Sequence, residues 1–237
     1  VELLAVLDFE AMRIDPKDPQ KEGRDRFICS KGHAGPAVYA ALANRGYFDR
    51  AELLTLNQGG TDLPSHCDMN LTPGIDMTTG SLGLGISAAC GMALSAKVSG
   101  DAYRMYIIVG DGESEEGQVW EAAMFAAHYK LDNLVCILDW NGLQIDGPTA
   151  EVMNPAPHDK KFEAFGFNVI TIDAHDYEQI EAAFKAAKEC KGKPTAIIAK
   201  SVKGKGVSYM ENQVKWHGSA PNDAQYEQAV AEIKATM

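Results

Sequence analysis

The spacing of apolar residues divides the chain into a largely helical first part and an alternating second part. In the first part apolar residues recur at helical intervals, which predicts helices over 1–12, 34–45, 51–56 and 82–98. From Tyr103 onward short apolar runs alternate with longer amphipathic stretches. These predict strands over 103–109, 134–139, 167–172 and 195–201, with helices over 118–129, 177–191 and 224–237.

Alternating strands and helices are typical of a parallel sheet whose crossover helices cover both faces. No shift in composition marks a domain boundary, so we expect one α/β domain over 1–237. The helical pattern is already under way at Val1, and we therefore expect residues upstream of it to be missing.

Two of the predicted strands end in short side chains that carry oxygen. The first is followed by Gly110-Asp111-Gly112, and the second runs into Asn141-Gly142. Parallel strands bring their carboxyl ends to one edge of the sheet, where such sheets bind ligands. Because Mg²⁺ prefers one or two carboxylates together with phosphate oxygens, we predict that Asp111, Asn141 and the Leu143 carbonyl hold a metal ion and a diphosphate.

Glycine and acidic residues surround this predicted site. Gly110 and Gly112 would let the backbone approach the phosphates closely. Either motif alone is more typical of a plain loop or turn, and their pairing at this spacing favours the site. Glu113 and Glu115 would repel a diphosphate, and we interpret them as a solvated first helical turn.

A dinucleotide site is a competing hypothesis for a neighbouring stretch. Residues 83–88, Gly-Leu-Gly-Ile-Ser-Ala, match the fingerprint of such sites, and Asp101 follows them. The fingerprint must come directly after a strand, whereas a turn-rich segment precedes this one. The pattern therefore disfavours NAD binding.

Composition limits the kinds of partner. The formal net charge of −11 argues against nucleic acid and anionic membranes, and no apolar run is long enough to cross a bilayer. The five cysteines form no CxxC pair, which favours reduced thiols in a cytoplasmic protein. Lys200, Lys203 and Lys205 form a small basic island that could face an anion.

Several longer stretches carry a family resemblance. In chain order these are DRFICSKGHAGPAVYAALANRGYF, TPGIDMTTGSLGLGISAACGMALSAK, IIVGDGESEEGQVWEAAMFAAHYKLDNLVCILDWNGLQIDG, FGFNVITIDAHDYEQI and GKPTAIIAKSVKGKGVSYMENQVKWHG. Together they resemble the N-terminal, thiamine-diphosphate-binding half of transketolase over nearly the whole chain. Other thiamine enzymes share the GDG…N pair without the SKGHA and TTGSLG segments.

The resemblance implies thiamine diphosphate and Mg²⁺ as cofactors, with Ca²⁺ or Mn²⁺ as substitutes for the metal. It assigns metal binding to Asp111, Asn141 and the carbonyl of Leu143. The implied cofactor-binding residues are Gly80, Leu82, Gly110, Asp111, Gly112, Glu116, Asn141 and His217. Among them, Gly80 and Leu82 would border the thiamine rings, and Glu116 would lie at the subunit interface.

The histidines separate into two groups on the same basis. His33, His66 and His217 match family positions that touch cofactor or sugar, and histidine suits proton transfer near neutral pH. These are the expected catalytic residues. The remaining histidines, His128, His158 and His175, match no such position, and we expect surface or structural roles for them.

The implied reaction moves a two-carbon ketol unit from a ketose or ketose phosphate to an aldose or aldose phosphate, as in the pentose phosphate pathway. The chain has His66-Cys67-Asp68 where the family usually has His-Pro-Glu, and Leu84 where it has glutamine. These departures favour a specialised ketose. The alternatives are another thiamine-dependent ketol or acyl transferase subunit, and a non-catalytic diphosphate-binding module.

A partner is also implied. The family carries its pyrimidine-binding domain, with the glutamate that activates the cofactor, on a following domain, whereas this chain stops at Met237. We therefore expect a second, C-terminal transketolase subunit, with two copies of each in a heterotetramer and sugar phosphates as substrates.

Overall fold

The computed structural model describes residues 1–236 and places five parallel strands in one central sheet. In chain order the strands are β1 (Arg26–Cys29), β2 (Met105–Gly110), β3 (Leu134–Trp140), β4 (Leu143–Gln144), β5 (Gly147–Pro148), β6 (Asn168–Asp173) and β7 (Thr195–Lys200). The central sheet has the order β1-β2-β3-β7-β6, and β4 and β5 form a small antiparallel pair. The predicted parallel sheet is confirmed.

Helices fill the connections. They are α1 (Glu2–Val6), α2 (Gly35–Arg45), α3 (Leu84–Ser99), α4 (Gly117–His128), α5 (Thr149–Val152), α6 (His158–Phe165), α7 (Tyr177–Glu189) and α8 (Asp223–Ala235). A π-helical turn, Leu7–Ala11, continues α1. Short 3-10 turns occupy Gly32–Ala34, Arg50–Thr55, Glu113–Glu115 and Val214–His217.

Alternate residues of the central strands enter two separate cores. Tyr106 and Ile108 of β2 pack in the core that contains residues of α1, α2 and α7. Ile107 and Val109 pack in the opposite core, with residues of α3, α4 and α6. A strand buried on both faces reads as a continuous apolar run, as in β2. The predicted placement of helices on both faces is confirmed.

Among the elements that escaped prediction are β1 and α6. Strand β1 has only four residues and begins with Arg26, so its apolar run is too short to stand out. Helix α6 is mainly polar and follows a proline-containing segment. The segment over 51–56 forms a 3-10 turn, not an α-helix, and Met237 of the last predicted helix lies outside the described residues.

The structure also bears on the dinucleotide fingerprint. Helix α3 begins at Leu84, inside the segment 83–88. The residues before it form turns and not a strand. The prediction that a turn-rich segment, and not a strand, precedes this fingerprint is therefore confirmed.

Within residues 1–236 no helix is long and apolar enough to cross a membrane. The cysteines are all free thiols, and Cys190 is the one that is not buried.

Candidate functional site

A cleft of about 370 Å³ opens at the carboxyl ends of β2 and β3. The two strands pair in register so that Gly110 lies opposite Asp139, which brings the loops that follow them together. The predicted site residues that line the cleft are His33, Leu82, Gly110, Asp111, Gly112, Glu116, Asn141, Leu143 and His217. The predicted convergence of the two strand ends is confirmed.

Asp111 links the two loops directly. One carboxylate oxygen accepts the Gly112 N–H at 2.9 Å, and the other accepts the Gly142 N–H at 2.6 Å. The side chain of Asn141 accepts the Leu143 N–H at 3.1 Å. Burial raises the pKa of Asp111 above its ordinary value, since water no longer solvates the charge. A cation bound beside this carboxylate would offset that cost.

A half-buried ion pair lies near Asp111. The Lys31 ammonium donates to Asp139, whose second carboxylate oxygen accepts from the Ser201 hydroxyl. Burial alone would lower the pKa of Lys31 and raise that of Asp139. The attraction and hydrogen bond between the two groups outweigh burial, so the pKa of Lys31 is raised and that of Asp139 is lowered. Lys31 thus stays protonated in the cleft wall, where it can attract an anion. It follows β1, and because that strand was not predicted Lys31 was missed.

Only part of the predicted basic island reaches the cleft. Lys203 lines it, and burial together with the charge of Lys31 lowers the pKa of Lys203. The Lys200 ammonium lies 5.5 Å from the centre of the Trp140 ring, and that of Lys205 is 3.9 Å from Glu211. Of the three lysines, Lys203 is therefore the one that lines the cleft.

Two of the predicted catalytic histidines form a stacked pair. The rings of His33 and His217 lie 4.9 Å apart at 27°. Desolvation in the cleft, with the charges of His217 and Lys31, lowers the pKa of His33 to about 4. Burial and Lys203 lower the pKa of His217, and its Nδ1 atom is buried without a hydrogen-bond partner within residues 1–236. Both rings are therefore neutral near pH 7.

His66 and Gly80 lie beside each other, outside the lining of this cleft. A Cβ atom on Gly80 would stand 3.6 Å from the His66 ring. His66 is exposed, and its charge is close enough to contribute to the lowered pKa of His33. Gly80 and Leu84 line a neighbouring depression. The roles of His66 and Gly80 remain predictions.

The structure corrects the interpretation of Glu113 as a solvated residue. Glu113 is 3% exposed, and its carboxylate accepts from the Ser30 hydroxyl, from the Gly83 N–H at 2.9 Å and from the Gly110 N–H at 3.0 Å. Its prediction as a solvated residue was wrong, because it joins β1, α3 and the end of β2. Glu115 is half-buried and accepts from the Gln144 amide at 3.1 Å.

We expect Glu113→Ala to destabilise the chain, because three donors would lose their buried acceptor. Each unsatisfied donor costs about 1–3 kcal/mol. The measurement is the free energy of unfolding from urea denaturation, with Glu121→Ala, an exposed position on α4, as the matched control. Equal stabilities of the two variants would contradict this role.

The other three histidines are not among the residues that line the cleft. His128 is exposed and His158 is fully buried. His175 lies 2.9 Å from Glu2 and accepts the Val202 N–H through its other ring nitrogen.

The site fits a metal that is shared with a diphosphate. Among the described residues, no three His, Cys, Asp or Glu side chains come together to hold a metal ion. A site with one carboxylate, Asp111, leaves the remaining charge to be supplied by a ligand. A Cβ atom on Gly112 would stand 2.8 Å from the Cβ of Gln144, so the loop tolerates no side chain there.

Comparison with known proteins identifies the family. The family model described as transketolase, thiamine diphosphate binding domain, matches residues 2–235. The chain belongs to the transketolase family. That domain implies thiamine diphosphate as the cofactor.

Two curated transketolase relatives match over 98% of this chain. A 6-deoxy-6-sulfo-D-fructose transketolase subunit from Clostridium sp. (strain MSTE9) is 50% identical over 233 residues, which cover 85% of that protein. An apulose-4-phosphate transketolase subunit from Phocaeicola vulgatus is 42% identical over 231 residues, 82% of its length. These relatives support a thiamine-diphosphate-dependent, transketolase-like enzyme.

The fold agrees with solved transketolases. The Campylobacter jejuni transketolase superimposes with a TM-score of 0.89 at 32% identity, over 98% of this chain. The match covers 37% of that transketolase, so this chain corresponds to somewhat over a third of it.

Proposed function

We propose that this chain is the thiamine-diphosphate-binding subunit of a two-subunit transketolase. The complex would transfer a two-carbon ketol unit from a ketose that carries an anionic group on its distal carbon to an aldose phosphate. The observation that carries the proposal is the contact between Asp111 and the loop of Asn141, beside the cations Lys31 and Lys203.

The metal would be Mg²⁺, held by Asp111, Asn141 and the carbonyl of Leu143, with Ca²⁺ or Mn²⁺ as substitutes. The Gly110–Gly112 backbone, Lys31 and Lys203 would face the diphosphate. Thiamine diphosphate, when bound, supplies the electron sink that carbon–carbon cleavage requires. Gly80 and Leu82 would border its rings.

His33, His66 and His217 would move protons to and from the sugar. Neutral His33 and His217 can each accept a proton, and the unpartnered Nδ1 of His217 is available to a bound group. The exposed position of His66, beside the departures at Cys67 and Leu84, suits contact with the sugar.

A second polypeptide would complete the site. Apolar side chains at the cleft are exposed, with Leu82 at 39%, Val152 at 39% and Ile145 at 65%. Both relatives are named as subunits. We propose that the partner carries the pyrimidine-binding domain and that two copies of each chain assemble, with exposed Glu116 at an interface.

The sugar is proposed to be a modified ketose. The two relatives are named for a sulfonated fructose and for apulose 4-phosphate. A sulfonate and a phosphate are both anions on the distal part of the sugar. The substitutions at Cys67 and Leu84 in this chain are compatible with substrates other than the usual pentose phosphates.

A donor panel tests this function. The complex, formed with the polypeptide encoded beside this chain, is incubated with 6-deoxy-6-sulfofructose, fructose 6-phosphate or xylulose 5-phosphate and an aldose phosphate. Mass spectrometry should show an aldose two carbons shorter than the preferred donor, with its anion retained. In a parallel incubation with a 2-oxo acid as donor, release of carbon dioxide would favour an acyl transferase instead. Cofactor binding without carbon transfer from any donor would favour a non-catalytic module.

A further inference from the structure

His158 connects the two loops that carry the proposed metal ligands. It is the first residue of α6, and its side chain is fully buried. Its Nε2 atom lies 3.1 Å from the Ser114 hydroxyl, in the turn that follows Asp111. Its ring meets that of Trp140, the residue before Asn141, edge to face at 4.9 Å.

The hydrogen bonds of the Ser114 hydroxyl determine which ring nitrogen of His158 carries the proton. The Ser114 hydroxyl donates its single proton to the Asp111 carbonyl at 2.6 Å. Its oxygen must therefore accept from His158, which places the imidazole proton on Nε2. The Nδ1 atom then carries no proton, in keeping with its lack of a partner within residues 1–236. Two successive hydrogen bonds therefore lead from His158 through Ser114 to the backbone of Asp111, and we call this chain the relay.

The surrounding packing makes this relay rigid. The Trp120 indole donates to the Ser114 carbonyl at 2.9 Å, and its ring packs against Phe162 of α6 at 5.3 Å. Helix α6 is thereby tied both to the start of α4 and to the end of β3. Displacement of His158 would release the Asp111 loop and the Asn141 loop together.

We propose that His158 is a positioning residue of the metal site, which sets the separation of Asp111 and Asn141 through Ser114 and Trp140. The inference rests on the proposed function, since it concerns the affinity of the same site for its metal. Residues that orient metal ligands in this way typically change metal affinity by about 10- to 100-fold.

Paired substitutions test the donor itself. His158→Gln keeps an N–H donor at the place of Nε2, whereas His158→Leu fills the space without one. We expect His158→Leu and Ser114→Ala each to weaken Mn²⁺ binding by about 10- to 100-fold in the assembled enzyme with thiamine diphosphate. We expect His158→Gln to recover most of the affinity.

The double variant, with His158→Leu and Ser114→Ala together, should lose little more affinity than either single variant, because both substitutions break the same relay. His128→Leu, at an exposed position, is the control.

Hydrogen exchange without ligand supplies a second measurement. In His158→Leu, amides of residues 111–116 and 141–147 should exchange faster, while those of β2 and β3 stay protected. Uniformly faster exchange, or equal Mn²⁺ affinity in the Gln and Leu variants, would overturn the positioning role. If the wild-type complex itself binds no Mn²⁺ with thiamine diphosphate, the proposed function fails as well.

Discussion

The isolated chain is expected to show no measurable ketol transfer, and the mixture with its partner should be active. The cleft residues Leu82, Ile145 and Val152 are exposed apolar side chains, as at surfaces that bind another protein. With one wall absent, the cofactor rings would remain open to water. The measurement is the rate of two-carbon transfer as the partner is titrated into a fixed amount of this chain.

The rate should rise from background and saturate when the two chains are present in equal numbers. Leu82→Asp, which places a charge on the cleft rim, should shift the titration to higher partner concentrations. Val98→Asp, at an exposed position near the end of α3, is the matched control. Full activity from this chain alone would contradict the two-subunit proposal.

The second large effect is expected from Asp111→Asn, which should strongly weaken the metal-dependent binding of thiamine diphosphate. Both carboxylate oxygens of Asp111 accept backbone N–H groups, so an amide would set its own N–H₂ group against one of those donors. The substitution also removes the one carboxylate that we assign to the metal. Loss of a buried charged partner costs about 2–5 kcal/mol, which corresponds to roughly 30- to 5,000-fold in Kd.

Calorimetric titration of thiamine diphosphate into the assembled enzyme, with Mg²⁺ or with a chelator, measures this effect. Asp146→Asn makes the same change of charge at an exposed position in the same cleft and should leave the affinity within a few fold. Unchanged affinity in Asp111→Asn would remove Asp111 from the metal site. An equal loss in both variants would assign the effect to the general charge of the cleft.

The core of the sheet and the metal loops could be predicted because their signals are local. Strand β2 is buried along its whole length, and its apolar run ends at Gly110, directly before Asp111. Parallel pairing brings the carboxyl ends of β2 and β3 to the same edge of the sheet, so the convergence of Asp111 and Asn141 could be predicted without the register that the structure shows.

The missed features depend on contacts between distant parts of the chain. Lys31 pairs with Asp139, 108 positions later, and Glu113 accepts from Ser30, 83 positions earlier. An acid at the start of a helix is usually solvated, and no local pattern distinguishes Glu113 from Glu115. His158 was set aside for the same reason, since its partner Ser114 is 44 positions away.

The most direct test of the metal and cofactor site is anomalous diffraction from crystals of the assembled enzyme grown with Mn²⁺ and thiamine diphosphate. We predict one manganese peak per copy of this chain, bound by Asp111, Asn141 and the carbonyl of Leu143, with the diphosphate beside Lys31 and Lys203. A manganese ion bound elsewhere, or thiamine diphosphate bound away from this cleft, would contradict the account.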